Sequence, residues 1–99
     1  MIEHIVLMRF SKNTTKSQKN ELNLKTLALK KGIPGVMDIQ MGHNFSERSQ
    51  GYDMGLTVRF TDQAALDNYG PHPLHQEFVA YMDEIGIEDK LVVDFEIEG

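Results

Sequence analysis

The chain contains no cysteine and no tryptophan. Without cysteine there is no disulfide framework, no thiolate metal cage and no sulfur nucleophile. Cations are scarce as well: ten Lys and Arg stand against fifteen Asp and Glu, a net charge of −5 over 99 residues. That balance offers no basic face to neutralise phosphates, so no nucleic-acid partner is expected. No apolar run approaches the ~20 residues of a membrane-crossing helix, so no membrane role is expected. The opening Met1-Ile2-Glu3-His4 lacks a basic segment, and Arg9 cuts the apolar stretch behind it. It does not read as a secretory signal, the expected location is cytoplasmic, and the Asn44-Phe45-Ser46 sequon is taken as chance. Phosphate-cradling glycine loops, dinucleotide fingerprints and serine elbows are missing too. No cofactor and no metal site are expected.

What remains is 40% hydrophobic and 25% charged, the composition of an ordinary globular chain. Its length fits one domain spanning residues 1–99. A domain this small buries only about 60–70% of its unfolded surface, so a second copy is expected to supply further burial.

The apolar periods order the elements. Ile2, His4, Val6, Met8 and Phe10 share one face of a strand over 2–10, and Ile5 and Leu7 share the other; apolar on both faces, it is predicted to be central. Thr15-Lys16-Ser17-Gln18 fits a capping box for a helix over 16–31, with Leu22, Leu27 and Leu29 as its apolar content. Gly32 is expected to take the left-handed position after it, and Pro34 to block continuation. A second strand is predicted over 36–43, with Met37, Ile39 and Met41 on one side. The polar stretch Asn44 to Gly51 reads as a loop. Residues 52–60 alternate cleanly as a third strand. Thr61 is expected to cap a helix over 62–69 that Gly70-Pro71 ends. Another helix starts near Pro73, favoured at a first helical position, and stops at Gly86. Residues 91–97 form the last strand, with Leu91, Val93, Phe95 and Ile97 on one face. Taking the two adjoining helices as one crossover gives βαββαβ, the α+β ferredoxin-like plan with a four-stranded antiparallel sheet. Right-handed crossovers place all helices on one face, and Ile5 and Leu7 on the other invite a second copy.

Four histidines carry what chemistry the sequence offers. His4 interrupts the apolar face of the first strand and is either a satisfied core residue or a pocket wall. His75 falls at the third position of the last helix if His72 is its cap, beside Phe78, Val79 and Met82. The positive end of the helix and burial both disfavour an imidazolium there, which suits a general base near neutral pH. The alternative is a ring that only locks its loop through a backbone carbonyl. Tyr69, six residues earlier, can return over the same pocket through the Gly70-Pro71 turn, or remain a core tyrosine. His72 is expected to accept a backbone N–H as a cap, His43 to lie on the surface, and His72 with His75 makes a poor metal pair.

Several of these segments together resemble the stress-responsive A/B barrel (Dabb) family. They are His4-Ile5-Val6-Leu7, Thr15-Lys16-Ser17-Gln18, Ile33-Pro34-Gly35-Val36, Gly51-Tyr52-Asp53, His72-Pro73-Leu74-His75 and Leu91-Val92-Val93-Asp94-Phe95. The resemblance implies a ferredoxin-like protomer that pairs into a dimeric α+β barrel, so the expected partner is self. It does not imply one activity. Plant polyketide cyclases of the family close a poly-β-keto chain with a histidine base in an HPxH motif, a tyrosine from the preceding helix and a first-strand histidine lining the pocket. The matching positions are His75, Tyr69 and His4. The cyclases have a further histidine where this chain has Met54 and a tyrosine where it has Leu27, so the resemblance puts two apolar residues where polar groups would meet a polyketide.

The expectation is a homodimer with a small apolar pocket holding His75 as base, Tyr69 and His4, lined by Met54, Leu27, Phe78 and Val6. Its biochemical role is left undefined; if it is an enzyme, a small apolar or carbonyl compound would be turned over in a cofactor-independent cyclase, isomerase or lyase step. The alternative is a non-catalytic homodimer that binds a small ligand or serves a stress response. A haem-handling or quinone-type monooxygenase on the same plan rests on fold analogy alone.

Overall fold

The computed structural model describes residues 1–98. Seven elements follow in the order β1 (Ile2–Phe10), α1 (Lys16–Gly32), β2 (Val36–His43), β3 (Met54–Phe60), α2 (Gln63–Tyr69), α3 (Pro73–Ile85) and β4 (Ile87–Glu96). The strands form one sheet in the order β2-β3-β1-β4, and every pairing is antiparallel. This is the ferredoxin-like plan. Among the described residues, no helix is long and apolar enough to cross a membrane.

Alternation decides which face is covered. Ile2, Val6, Met8 and Phe10 of β1 and Met54, Leu56, Val58 and Phe60 of β3 are buried under the helices. Between them, Ile5 and Leu7 are only half-buried, and Leu91, Val93 and Phe95 of β4 are 44–48% exposed. The second sheet face is therefore open and apolar along β1 and β4. Across β3 it is polar: Arg59 Nε donates to Glu3 Oε2 at 3.0 Å.

Local signals set most of the boundaries. The α1 capping box forms in full, Thr15 Oγ1 accepting from Gln18 N and Gln18 Oε1 accepting from Thr15 N. Pro73 opens α3, and Gly86 closes it at φ +103°. Several expectations need correcting. Asp62, not Thr61, caps α2, because its carboxylate reaches Ala65 N at 2.9 Å. Gly32 stays in the helix, and the extended residue Ile33 caps it. What Gly32 provides is clearance, since a Cβ there would stand 2.3 Å from Leu74 Cδ1. The left-handed glycine is Gly35, at φ +88°. β3 begins at Met54, two residues late, because Tyr52 and Asp53 close the preceding loop with Ser49 and Met8. β4 begins at Ile87, directly after Gly86. Met37 is 46% exposed, as a register irregularity between Val36 and Asp38 breaks the alternation of β2. Leu27 is 56% exposed, since the buried side of α1 runs through Leu22, Thr26 and Leu29.

Two glycines separate backbone geometry from mere flexibility. At Gly35 an added Cβ would meet Ala65 Cβ at 2.4 Å, in a left-handed conformation; at Gly70, with φ −53°, it would meet nothing within 4 Å. Gly35→Ala is expected to lower unfolding stability by about 2–4 kcal/mol, combining the left-handed penalty with overpacking. Gly70→Ala is expected to leave it equal or raise it by up to about 1 kcal/mol. Urea denaturation midpoints of the two variants check this.

Candidate active site

The last helix begins with a histidine cap. His72 Nδ1 accepts from Leu74 N at 3.1 Å, and His72 sits extended before Pro73 at N1. That anchors the first turn and places His75 half-buried against the core. His75 Nδ1 stands 2.9 Å from the carbonyl oxygen of Gly70. A carbonyl only accepts, so Nδ1 carries the hydrogen, and the neutral ring holds its free lone pair on Nε2. The pKa of His75 lies below its ordinary value of 6.5, first because burial penalises the cation and then because His4 and Lys90 are nearby positive groups; the Gly70 contact acts in the opposite direction. His75 thus locks its loop through Nδ1 and leaves the Nε2 lone pair free.

Tyr69, at the end of α2, packs its ring 4.3 Å from that of His75 and 6.0 Å from that of His4. It is buried against Phe60 at 5.0 Å. Burial alone pushes its phenol up to about 12, so it keeps its proton at neutral pH. His4, on β1, has a 13% exposed side chain and its Nδ1 in contact with Asp94 Oδ1. The β1–β4 register pairs these two residues directly, and paired residues of an antiparallel ladder project to the same face.

These elements enclose a cavity of about 150 Å³. His4 and His75 are on its wall, and Lys90 is its third polar residue. The apolar wall comes from Val6 and Met8 of β1, Leu56 of β3 and Val92 of β4, closed by Phe78, Val79 and Met82 of α3. Val6 and Phe78 are among these lining residues. Met54 is not on this wall: it is fully buried at the start of β3, beside His43 rather than His4. Leu27 is on the far side of α1. It borders a wider groove between α1 and β2, about 520 Å³, with Asn20, Asn23, Leu24, Thr26, Ile39, Gln40 and Met41. That groove is larger but contains no acid, base or nucleophile stronger than an amide or a hydroxyl. Tyr69 stands behind the imidazoles rather than on the cavity wall.

Asp94, Lys90 and Val92 escaped the sequence reading as site residues. The alternation of β4 contained the signal, because a strand with Leu91, Val93 and Phe95 on one face must carry Lys90, Val92 and Asp94 on the other. Only the register with β1, which pairs Met8 with Lys90 and His4 with Asp94, shows what they meet. His43 is exposed, its Nε2 2.9 Å from Asn20 Oδ1. Among the described residues, no group of three or more His, Asp or Glu side chains is placed to hold a metal ion.

The family model of the Stress responsive A/B Barrel Domain matches residues 2–97. The olivetolic acid cyclase of Cannabis sativa is 25% identical over 79 residues, 78% of each chain. Among solved structures, a dimeric ferredoxin-like protein from a Jannaschia species superposes with a TM-score of 0.82 at 29% identity, covering 97% of this chain and 98% of that one. A hydroxynitrile lyase from Passiflora edulis superposes at 0.85 over 98% and 93% of the two chains; its 19% identity makes this a likeness of fold.

The lowered pKa of His75 links stability to pH. Between its folded value and 6.5 the unfolded chain binds the proton more readily, so unfolding free energy rises with pH across that window. The contribution of His75 is complete above 6.5 and is lost as pH falls through the folded value. The expected outcome is a His75 ring resonance that titrates below 6.5 by NMR. The slope of denaturation free energy against pH is expected to be shallower in His75→Ala.

Proposed function

The chain belongs to the stress responsive A/B barrel domain family, and from that premise we propose that it is a cofactor-independent enzyme of small carbonyl compounds, with His75 as general base. The observation that carries this reading is the 150 Å³ cavity lined by two imidazoles, one from the sheet and one from α3, and by Lys90, with apolar side chains on the rest. A purely structural histidine would sit in filled core. Here Nε2 of a neutral His75 takes a proton from the carbon next to the carbonyl, and the C–H electron pair moves towards the carbonyl oxygen as an enolate. With its Nδ1 tied to Asp94, His4 has only Nε2 left for substrate. Tyr69 is a positioning residue that holds both rings by packing. The reaction class, proton removal beside a carbonyl, serves cyclisation, isomerisation or lyase chemistry alike. A cyclase relative and a lyase of the same fold support that breadth.

A cavity of about 150 Å³ matches one benzene-sized ring. A long polyketide is therefore not the substrate we propose. The test is α-proton exchange of phenylacetone in D2O, followed by NMR. Wild type is expected to accelerate exchange, and His75→Ala to lose about 10²–10⁴-fold of that acceleration with its fold intact. Equal exchange by the two proteins would overturn the base assignment. In that case a ligand-binding, non-catalytic reading would stand, with His75→Ala costing only stability, about 1–3 kcal/mol for an unsatisfied buried partner.

We further propose that the protein is a homodimer joined through the open sheet face. Leu91, Val93 and Phe95, nearly half exposed beside Ile5 and Leu7, form an apolar strip that a second copy covers by two-fold symmetry. Light scattering is expected to give twice the 11.3 kDa chain mass. Val93→Glu is expected to shift that mass towards one chain; a monomeric wild type would refute the assignment.

A further inference from the structure

Lys90 is an unusual residue to find on the wall of an apolar cavity. Its Cα is paired with that of Met8, so the side chain rises on the helix-facing side of the sheet, next to Met8 and two positions from Val92. The residue itself is exposed, which places the ammonium at the rim. Of the four carboxylates on its own strand, three are engaged elsewhere, and Glu96 pairs with Ile2 at the other end of the ladder. Glu88 and Asp89 face Arg9 at 3.9 and 3.8 Å, Asp89 also accepts from the Tyr52 hydroxyl at 2.9 Å, and Asp94 is held by His4. Asp83, Glu88 and Asp89 border the same outer groove as Lys90. Among the described residues no carboxylate lies within 4.0 Å of the Lys90 ammonium. At the mouth of the apolar pocket the Lys90 ammonium is thus without an ion-pair contact, and the carboxylates of the outer groove leave it free to meet an anion from the pocket side.

We propose that the cavity selects small apolar carboxylates, whose hydrocarbon body lies against Val6, Leu56, Phe78 and Met82 and whose carboxylate meets Lys90 at the rim. Lys90 is then a specificity-determining residue of the site. This inference rests on reading the cavity as a ligand site and does not require His75 to act as a base. The size of the cavity supports it: about 150 Å³ takes one six-membered ring and leaves the charged group at the opening, where water still solvates it. The positive neighbourhood is already felt inside, since Lys90 is one of the groups that hold the pKa of His75 down. An anion at the rim would partly relieve that effect.

Three ligands test the idea by titration into the full chain at near-neutral pH, with methyl resonances of Leu56, Val79 and Met82 as the readout. Benzoate carries ring and charge, benzamide the ring alone, and acetate the charge alone. Benzoate is expected to bind about tenfold tighter than benzamide, as a charge-assisted contact at a partly wet site allows. Acetate is expected to leave the cavity methyls unmoved. Lys90→Gln should bring benzoate down to the affinity of benzamide while leaving benzamide itself unchanged, which also shows that the variant folds. Equal binding of benzoate and benzamide by wild type would overturn the proposal, as would no binding of either. A carboxylate preference that survives Lys90→Gln would assign the anion to an imidazolium instead and would equally refute it. Because His75→Ala is expected to keep the preference, failure of the base reading appears only in proton exchange and failure of this one only in the affinity ratio.

Discussion

The antiparallel pairing of β1 with β4 is the constraint from which the site follows. It lays the two ends of the chain side by side, Ile2 against Glu96 and Met8 against Lys90. Once that ladder exists, pleating alone sends His4, Val6 and Met8 to the same face as Asp94, Val92 and Lys90. The cavity wall is thus assembled from residues separated by more than eighty positions in sequence. No local contact within either strand would create it. The irregularity between Arg9 and Phe10 comes at the far end of the ladder, beyond the last residue the cavity uses.

A second, local device positions His75. Three functions are compressed into His72-Pro73-Leu74-His75: His72 accepts the Leu74 N–H, Pro73 starts the helix without needing a donor, and His75 reaches back to Gly70. The Gly70 carbonyl also accepts from the Gln76 side chain at 3.1 Å, so one backbone oxygen ties the end of α2 to the first turn of α3. The same contact selects the tautomer of His75. Burial, the helix N-terminus and the neighbouring positive groups then work together against protonation. Burial leads, and it outweighs the opposing pull of the Gly70 carbonyl.

How far the site was legible in the sequence depended on whether a residue answers to its own neighbours or to a distant strand. The capping box at Thr15, the proline start of α3 and the alternation of β1 are decided within a few residues, and the sequence shows them. His75 and Tyr69 were legible as neighbours across a short turn. Leu27 was not, because a helix with a diffuse apolar stripe leaves its phase undetermined by about one residue. The buried position turned out to be Thr26, whose hydroxyl is satisfied by Asn23 O at 2.6 Å. Gly32 looked like a helix terminator; its absent side chain instead makes room for Leu74, a contact between helices that nothing local announces. Asp94 and Lys90 carry no local signal of a site; only the register with β1 brings them beside His4 and Met8.

The two faces of β1 explain why so small a chain can hold a cavity at all. A domain of this length has little surplus burial, and an incompletely filled site beneath the helices forfeits some of it. Ile5 and Leu7 point away from that site, onto an open face they share with Leu91, Val93 and Phe95. Burial recovered on that face by association would offset what the cavity gives up on the other. In the proposed dimer, the alternation of a single nine-residue strand sets the cavity on one face of the sheet and the apolar strip on the other.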